Sequence, residues 1–285
     1  MSEPIEPAIE RVVRAALDED APWGDVTSEA FIPADAVATA ELTAREPGVL
    51  SGAAILTATF TAVDPAVGVD VRIADGDAFS RGDVLAIVTG PARAVLRGER
   101  VALNLVQRMS GIATLTSRYV AAVAGTRARV VDTRKTTPGL RAIERAAVRH
   151  GGGHNHRFSL SDAVMAKDNH LAVLAERGIG ITEAIRAARA RIGHTTHLEV
   201  EVDRIDQIDP VLAGGVDTIM LDNFDLDALR EGVRLVAGRA LVEASGGVTL
   251  DTIGAIARTG VDVISVGALT HSVRSLDLGL DIRLS

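Results

Sequence analysis

The sequence predicts an α/β protein: a reduced barrel of fewer than eight strands, preceded by an N-terminal mixed α/β domain. Three observations carry this. After residue 125, short apolar strands alternate with amphipathic helices, the pattern of right-handed βαβ units around a parallel sheet. Six such units fill residues 125–272, too short a stretch for eight units, which typically need about 250 residues. Each strand also ends in polar residues, and all six ends belong to the same edge. An open sheet would gather its site at one switch point from two or three strands, whereas a barrel brings every carboxyl end to one mouth.

The elements follow in order. Residues 5–18 carry Ile5, Ile9, Val12, Val13, Ala16 and Leu17 on one face of a helix. Asp25 to Gly90 reads as strands and turns, with strands at 41–44, 69–73 and 84–88 and glycines between them. Residues 74–83 resemble a turn from a biotinyl or lipoyl carrier domain. No lysine stands there to carry a cofactor, so a small β domain is expected instead. A helical run spans 97–124, interrupted at Ser110-Gly111. Barrel strands are expected at 129–132, 163–166, 197–202, 218–221, 240–243 and 261–266, and the clearest helices at 181–192, 226–236 and 250–258. The domains are then 1–124, 125–272, and a tail, 273–285, returning to the N-terminal domain.

Composition narrows the function. The chain has 285 residues, 47% of them hydrophobic, enough for one large core or two modest ones. No run of 18 apolar residues occurs, so no membrane span is expected. Met1-Ser2-Glu3-Pro4 is neither basic nor apolar, unlike a secretory signal, and the expected compartment is the cytoplasm. The absence of cysteine excludes disulfides, thiolate metal sites and a cysteine nucleophile. A net charge of −8 with 2% aromatics lacks the basic field and stacking platforms of a nucleic-acid binder. Of 30 basic residues, Lys135 and Lys167 are the only lysines and 28 are arginine. Both lysines stand at strand ends, and a compact ammonium is not interchangeable with a guanidinium fork.

The mouth sorts by charge. Arg134, Lys135, His156, Arg157 and Lys167 form a cationic half suited to a substrate with several negative groups. Glu201, Asp222 and, on the same strand face, Glu199 form an anionic half suited to Mg²⁺ or sugar hydroxyls. Ser245-Gly246-Gly247 and Gly267 follow the last two strands, and such turns expose backbone N–H groups that bind phosphate. Gly151–Arg157 reads as a mobile loop that feeds polar groups into the mouth. His150, His154, His194 and His271 receive no role, and no His-Glu-x-x-His pattern supports zinc.

These residues carry a resemblance. Asp132-Thr133-Arg134-Lys135-Thr136-Thr137-Pro138-Gly139-Leu140-Arg141, Asn155-His156-Arg157, Lys167-Asp168-Asn169-His170, Glu199-Val200-Glu201-Val202, Leu221-Asp222-Asn223, Ser245-Gly246-Gly247 and Gly267–Ser272 are similar to the motif series of the quinolinate phosphoribosyltransferases. Trp23-Gly24-Asp25-Val26-Thr27, Asn104-Leu105 and Ser110–Thr114 fit the same series, so the resemblance covers nearly the whole chain. It implies transfer of phosphoribose from phosphoribosyl pyrophosphate to quinolinate with loss of CO₂ and pyrophosphate, giving nicotinate mononucleotide, with Mg²⁺. It implies at least a homodimer, in which the N-terminal domain of one subunit closes the barrel mouth of the other.

In that reading Arg134, His156 and Arg157, with Arg100 of the neighbouring subunit, hold the substrate carboxylates, while Lys135 and Lys167 face pyrophosphate and the substrate anions. Glu201 and Asp222 hold ribose hydroxyls and Mg²⁺. Thr133, Ser245, Gly246, Gly247, Val266, Gly267 and Ala268 complete the substrate contacts. Other readings stand beside it: transfer to nicotinate or another ring without decarboxylation, an aldolase with Lys167 as Schiff base, or a non-catalytic regulator or carrier scaffold.

Overall fold

The apolar spacing at the start of the chain produces the expected helix: α1 (Ile5–Asp20) buries Ala8, Ile9, Val12, Val13 and Leu17 along one side. The structure, a computed structural model, describes residues 5–284. Met1 to Pro4, on which the expectation about a leader rested, lie outside the described residues. Asp25 caps α2 (Val26–Phe31), its carboxylate accepting the N–H groups of Thr27 and Ser28. Then come β1 (Val37–Ala44), β2 (Gly48–Val49), α3 (Ala53–Val63), β3 (Gly68–Val71), β4 (Ala78–Phe79), β5 (Val84–Pro91) and α4 (Ala92–Ala122).

Three of these depart from expectation. α2 and α3 are helices in a stretch read as strands and turns. The threonine-rich sequence of α3 has no strong helical propensity, but Ile55, Leu56, Thr59 and Phe60 bury one face of it. The Asp75 carboxylate accepts the N–H groups of Gly52 and Ala53 at its start. α4 is uninterrupted at Ser110-Gly111. Gly111 is there for close approach, since a Cβ on it would lie 2.3 Å from the Arg274 carbonyl oxygen.

The rest of the chain reads β6 (Arg129–Val131), α5 (Arg141–His150), β7 (Val164–Ala166), α6 (Asp168–Glu176), α7 (Ile181–Arg189), β8 (Leu198–Val202), α8 (Ile208–Gly214), β9 (Thr218–Asp222), α9 (Leu226–Val236), β10 (Leu241–Ser245), α10 (Leu250–Ala257), β11 (Val263–Ser265), α11 (Ala268–His271) and β12 (Leu278–Leu284). Two compact units emerge, and neither is continuous in sequence. One holds Arg118–Lys135 and Gly153–Ala268. The other runs to Ser117 and adds Thr136–Gly152 and the segment from Leu269.

The second of these units is built on an antiparallel sheet in the order β12-β1-β5-β3. β1 alternates, burying Ala38, Ala40, Leu42 and Ala44, and it pairs with β12 from Ala38–Leu284 to Ala44–Leu278. Phe60, Leu85, Val88, Leu276 and Leu278 fill the core against this face.

The other unit is a six-stranded sheet in the order β6-β11-β10-β9-β8-β7, every pair parallel. Its strands are mostly apolar, as expected of strands covered on both faces, and Glu199, Glu201 and Glu243 are the charges set within them. Beyond β6 the sheet gains one more rung. The His154 N–H donates to Val130 O at 2.8 Å, and Asp132 N–H donates to His154 O at 3.2 Å. The stretch expected to be a mobile loop is thus a short stave alongside β6. Laid flat, this stave and β8 would stand five strand spacings apart, about 24 Å. Yet His156 Nε2 lies 3.2 Å from Glu199 Oε2 on β8, so the sheet is curled into a barrel.

Candidate active site

The strand ends of the barrel converge on a cavity of about 570 Å³. It is lined by Thr133, Arg134, Lys135, His156, Arg157, Lys167, Glu201, Asp222, Ser245, Gly246 and Gly247, together with Met165, Met220, Asn223, Glu243 and Ser265. Eleven sequence-predicted residues are thus brought together. Glu201 and Asp222 also line a second cavity of about 550 Å³ on the α6–α7 side. Val266, Gly267 and Ala268 are not part of the first cavity's wall. Val266 is buried, and its N–H is spent on Val131 O. Arg100 is exposed and lines a different cavity, of about 290 Å³, in the other unit, with Arg97, Asp25 and Leu96.

Local structure aims each side chain. After β6, Thr133 Oγ1 accepts the Lys135 N–H at 3.1 Å, turning the chain so that successive basic residues enter the mouth. Asp132, wholly buried, takes the His156 N–H at 2.8 Å and the Asn155 amide at 2.5 Å, which fixes the stave carrying His156 and Arg157. Arg157 Nη1 then donates to Ala163 O at 3.1 Å, just before β7. Lys167 precedes α6, with its N–H on His170 Nδ1 at 3.1 Å, and its ammonium pairs with Glu201 Oε2. Glu199 and Glu201 share a strand face, as expected from alternation.

The electrostatics are uneven. Burial first, and then the neighbouring Arg134 guanidinium, lower the Arg157 pKa below its ordinary value. Two guanidiniums crowded together in this way favour an anion between them. His156 has a different setting: Nε2 lies 3.2 Å from Glu199 Oε2 and 3.4 Å from Glu243 Oε2, both carboxylates buried. Burial alone would keep the ring neutral, but hydrogen bonds to Glu199 and Glu243 outweigh it and push the imidazole up to about 10. Burial likewise raises Glu199, and the charge of Glu243 adds to that. The Arg157 N–H lies 2.7 Å from His156 Nδ1 and donates to it when the ring is neutral, with its one proton on Nε2. Whether neutral or charged, the ring thus turns an Nε2–H toward the two carboxylates.

This changes what His156 can offer. It stands in the cavity as expected, but both ring nitrogens are engaged by the protein. Among the described residues, His156, Glu199 and Glu243 are the group of three close enough to ligate one metal ion. The proton on Nε2 occupies the atom a metal would need. Glu201 and Asp222 suit Mg²⁺ better: Mg²⁺ is commonly held by one or two carboxylates plus substrate phosphates, and both side chains present oxygens to the same cavity. Arg134 Nε, Glu199 Oε1, Glu243 Oε1 and Ser265 Oγ are buried and find no partner among the described residues. Glu243 was the signal most open to sequence reasoning, as the lone charge inside an apolar strand. Asn223 was visible only as part of the Leu221-Asp222-Asn223 motif, and Ser265 gave no signal that separates it from an ordinary strand end.

A parallel barrel whose mouth sets crowded cations against carboxylates and a glycine turn defines an α/β-barrel phosphoribosyltransferase. Comparison with known proteins specifies it. Residues 25–110 match the family model "Quinolinate phosphoribosyl transferase, N-terminal domain", and residues 112–281 match its C-terminal counterpart. The chain is 45% identical to the probable nicotinate-nucleotide pyrophosphorylase [carboxylating] of Bacillus subtilis, over 94% of this chain and 91% of that protein. It is 44% identical to the nicotinate-nucleotide pyrophosphorylase [carboxylating] of Mycobacterium leprae, covering 95% of each. The crystal structure of NadC from Streptococcus pyogenes superposes with a TM-score of 0.94 at 40% identity, over 100% of both chains. The chain belongs to the quinolinate phosphoribosyltransferase family.

Proposed function

We propose that this protein transfers the phosphoribosyl group of phosphoribosyl pyrophosphate to the ring nitrogen of quinolinate. Pyrophosphate and CO₂ leave, and nicotinate mononucleotide remains. The observation that carries the reading is the convergence, on one cavity, of Arg134, Lys135, Arg157 and Lys167 with Glu201, Asp222 and the Ser245–Gly247 turn. A dicarboxylate and a pyrophosphate need the cations, and ribose hydroxyls need the carboxylates.

Arg134 and Arg157 take the ring carboxylates, for which a guanidinium fork is suited. An anion between them relieves the repulsion that, after burial, lowers Arg157. Met165 and Met220 line the wall and offer an apolar face to the ring. Lys135 and Lys167 hold the pyrophosphate as its negative charge grows on departure. Glu201 and Asp222 face the sugar, whose anomeric carbon becomes cationic as the bond to pyrophosphate breaks, and preorganised carboxylates stabilise that charge. Gly246 and Gly247, both with positive φ, turn the backbone after β10 toward the 5-phosphate. Transfer leaves a positive ring nitrogen next to the carbon that bears the departing carboxylate; it stabilises the electron pair left on that carbon as CO₂ departs, and a proton from solvent then takes the place of the carboxylate. Glu201 and Asp222 would also hold Mg²⁺, which neutralises pyrophosphate charge when bound.

The functional protein is read as a homodimer or higher homo-oligomer in the cytoplasm, with Arg100 supplied to the mouth of a second subunit. Among the described residues, no helix is long and apolar enough to cross a membrane. Release of labelled CO₂ from carboxyl-labelled quinolinate tests the reaction. Release is expected only when phosphoribosyl pyrophosphate is present. No release, or release independent of it, would sink the reading.

A further inference from the structure

Asn223 stands in a backbone conformation that most side chains avoid. Its φ is 58°, in the left-handed region, shared among the described non-glycine residues only with Ala237. Three contacts accompany this conformation. The Asn223 N–H donates to Ser245 O at 2.9 Å. Its side-chain Nδ2 donates to Asp222 Oδ2 at 2.7 Å. Its Oδ1 lies over Gly246, where a Cβ would come within 2.2 Å of it. One residue therefore touches both the carboxylate that ends β9 and the turn that follows β10.

A turn alone does not require the hydrogen bond that this amide makes to Asp222. Glycine adopts this φ at less cost. Aspartate has the same shape, but would set a second carboxylate against Asp222 in place of a donor. Only an amide here both donates to Asp222 and accepts positive φ readily.

We infer that Asn223 is a positioning residue that sets Asp222 in register with the 245–247 turn, so that the two grip the ribose hydroxyls and the 5-phosphate of one phosphoribosyl group. The inference rests on the reading that this cavity takes phosphoribosyl pyrophosphate. Asn223 sets the distance between the two ends of that group. It has no part in recognising the ring.

The experiment uses the full-length protein and calorimetry with phosphoribosyl pyrophosphate and, separately, with quinolinate. Failure of the unmodified protein to bind phosphoribosyl pyrophosphate would sink the functional reading itself. Given that binding, Asn223→Gly should melt near the unmodified protein and weaken phosphoribosyl pyrophosphate by about tenfold, the scale of a lost hydrogen bond to a charged group. Quinolinate affinity should stay within about twofold, since no shared contact is removed. In an Asp222→Asn background the effect of Asn223→Gly should largely vanish. Unchanged phosphoribosyl pyrophosphate affinity, an equal loss for quinolinate, or an undiminished effect in the Asp222→Asn background would each overturn the inference. If Asn223→Gly does not fold, Asn223→Asp keeps the size and tolerates the same φ. It should lose phosphoribosyl pyrophosphate selectively, and normal binding by it would equally overturn the inference.

Discussion

Lys167 and Glu201 face one another across neighbouring strand ends, β7 to β8, and both line the cavity. A lysine is the exception in this chain, where 28 of 30 basic residues are arginine. Arginine at 167 would keep the charge but bring a wide planar fork into a place shaped for a compact ammonium. Lys167→Arg is therefore expected to melt normally and to lose about a hundredfold in turnover, the scale of one preorganised donor to developing charge. Near-normal steady-state rates would show that charge alone suffices there. At this scale the sequence exposed what chemistry advertises: charged residues at strand ends, each reachable by period-two alternation. It did not expose what depends on two strands far apart in sequence. His156, Glu199 and Glu243 come from three separate segments, and no spacing rule links a stave beside β6 to the middle of β8 and β10. His156 lines the cavity as expected, and its Nε2 also lies beside Glu199 and Glu243.

Elements show a similar division. The amphipathic α1, α7 and α9 were legible because their apolar residues repeat at the helical period, and the six barrel strands because each is a short apolar run between helices. α3 was not, because its helix rests on burial of Phe60 and on a carboxylate from Asp75, more than ten residues beyond its end. The apparent break in α4 misled in the opposite direction. Gly111 has helical neighbours on both sides, and its lack of a side chain makes room for the backbone at Arg274. Gly111→Ala should accordingly destabilise by about 1–3 kcal/mol, the range for overpacking a well-filled site. Gly180 serves as the control. Its φ is negative and nothing lies within 4 Å of the place a Cβ would take, so Gly180→Ala loses only what alanine costs at the start of α7 and should melt closer to the unmodified protein than Gly111→Ala. Thermal melts of both variants check this, and equal melting points would return Gly111 to the status of an ordinary helical residue.

At the scale of the whole molecule, Arg100 lies in one unit and the barrel cavity in the other. If a second subunit supplies Arg100, two dead enzymes can repair one another. Arg100→Ala and Lys135→Ala should each be inactive alone. After subunit exchange, half the dimers are mixed and one of their two mouths carries neither change, so about a quarter of full activity should return. No recovery despite exchange would show that each chain uses its own Arg100, or none. The pairing of β1 with β12 has a bearing on how the protein is made. β1 is among the first strands to leave the ribosome, and one of its two edges is completed by β12, the last strand of the fold. Until β12 is synthesised that edge has no native partner, and an unpaired strand edge in a nascent chain invites pairing with other chains. The unit that contains β1 can thus complete its sheet only after the barrel strands that precede β12 have been made.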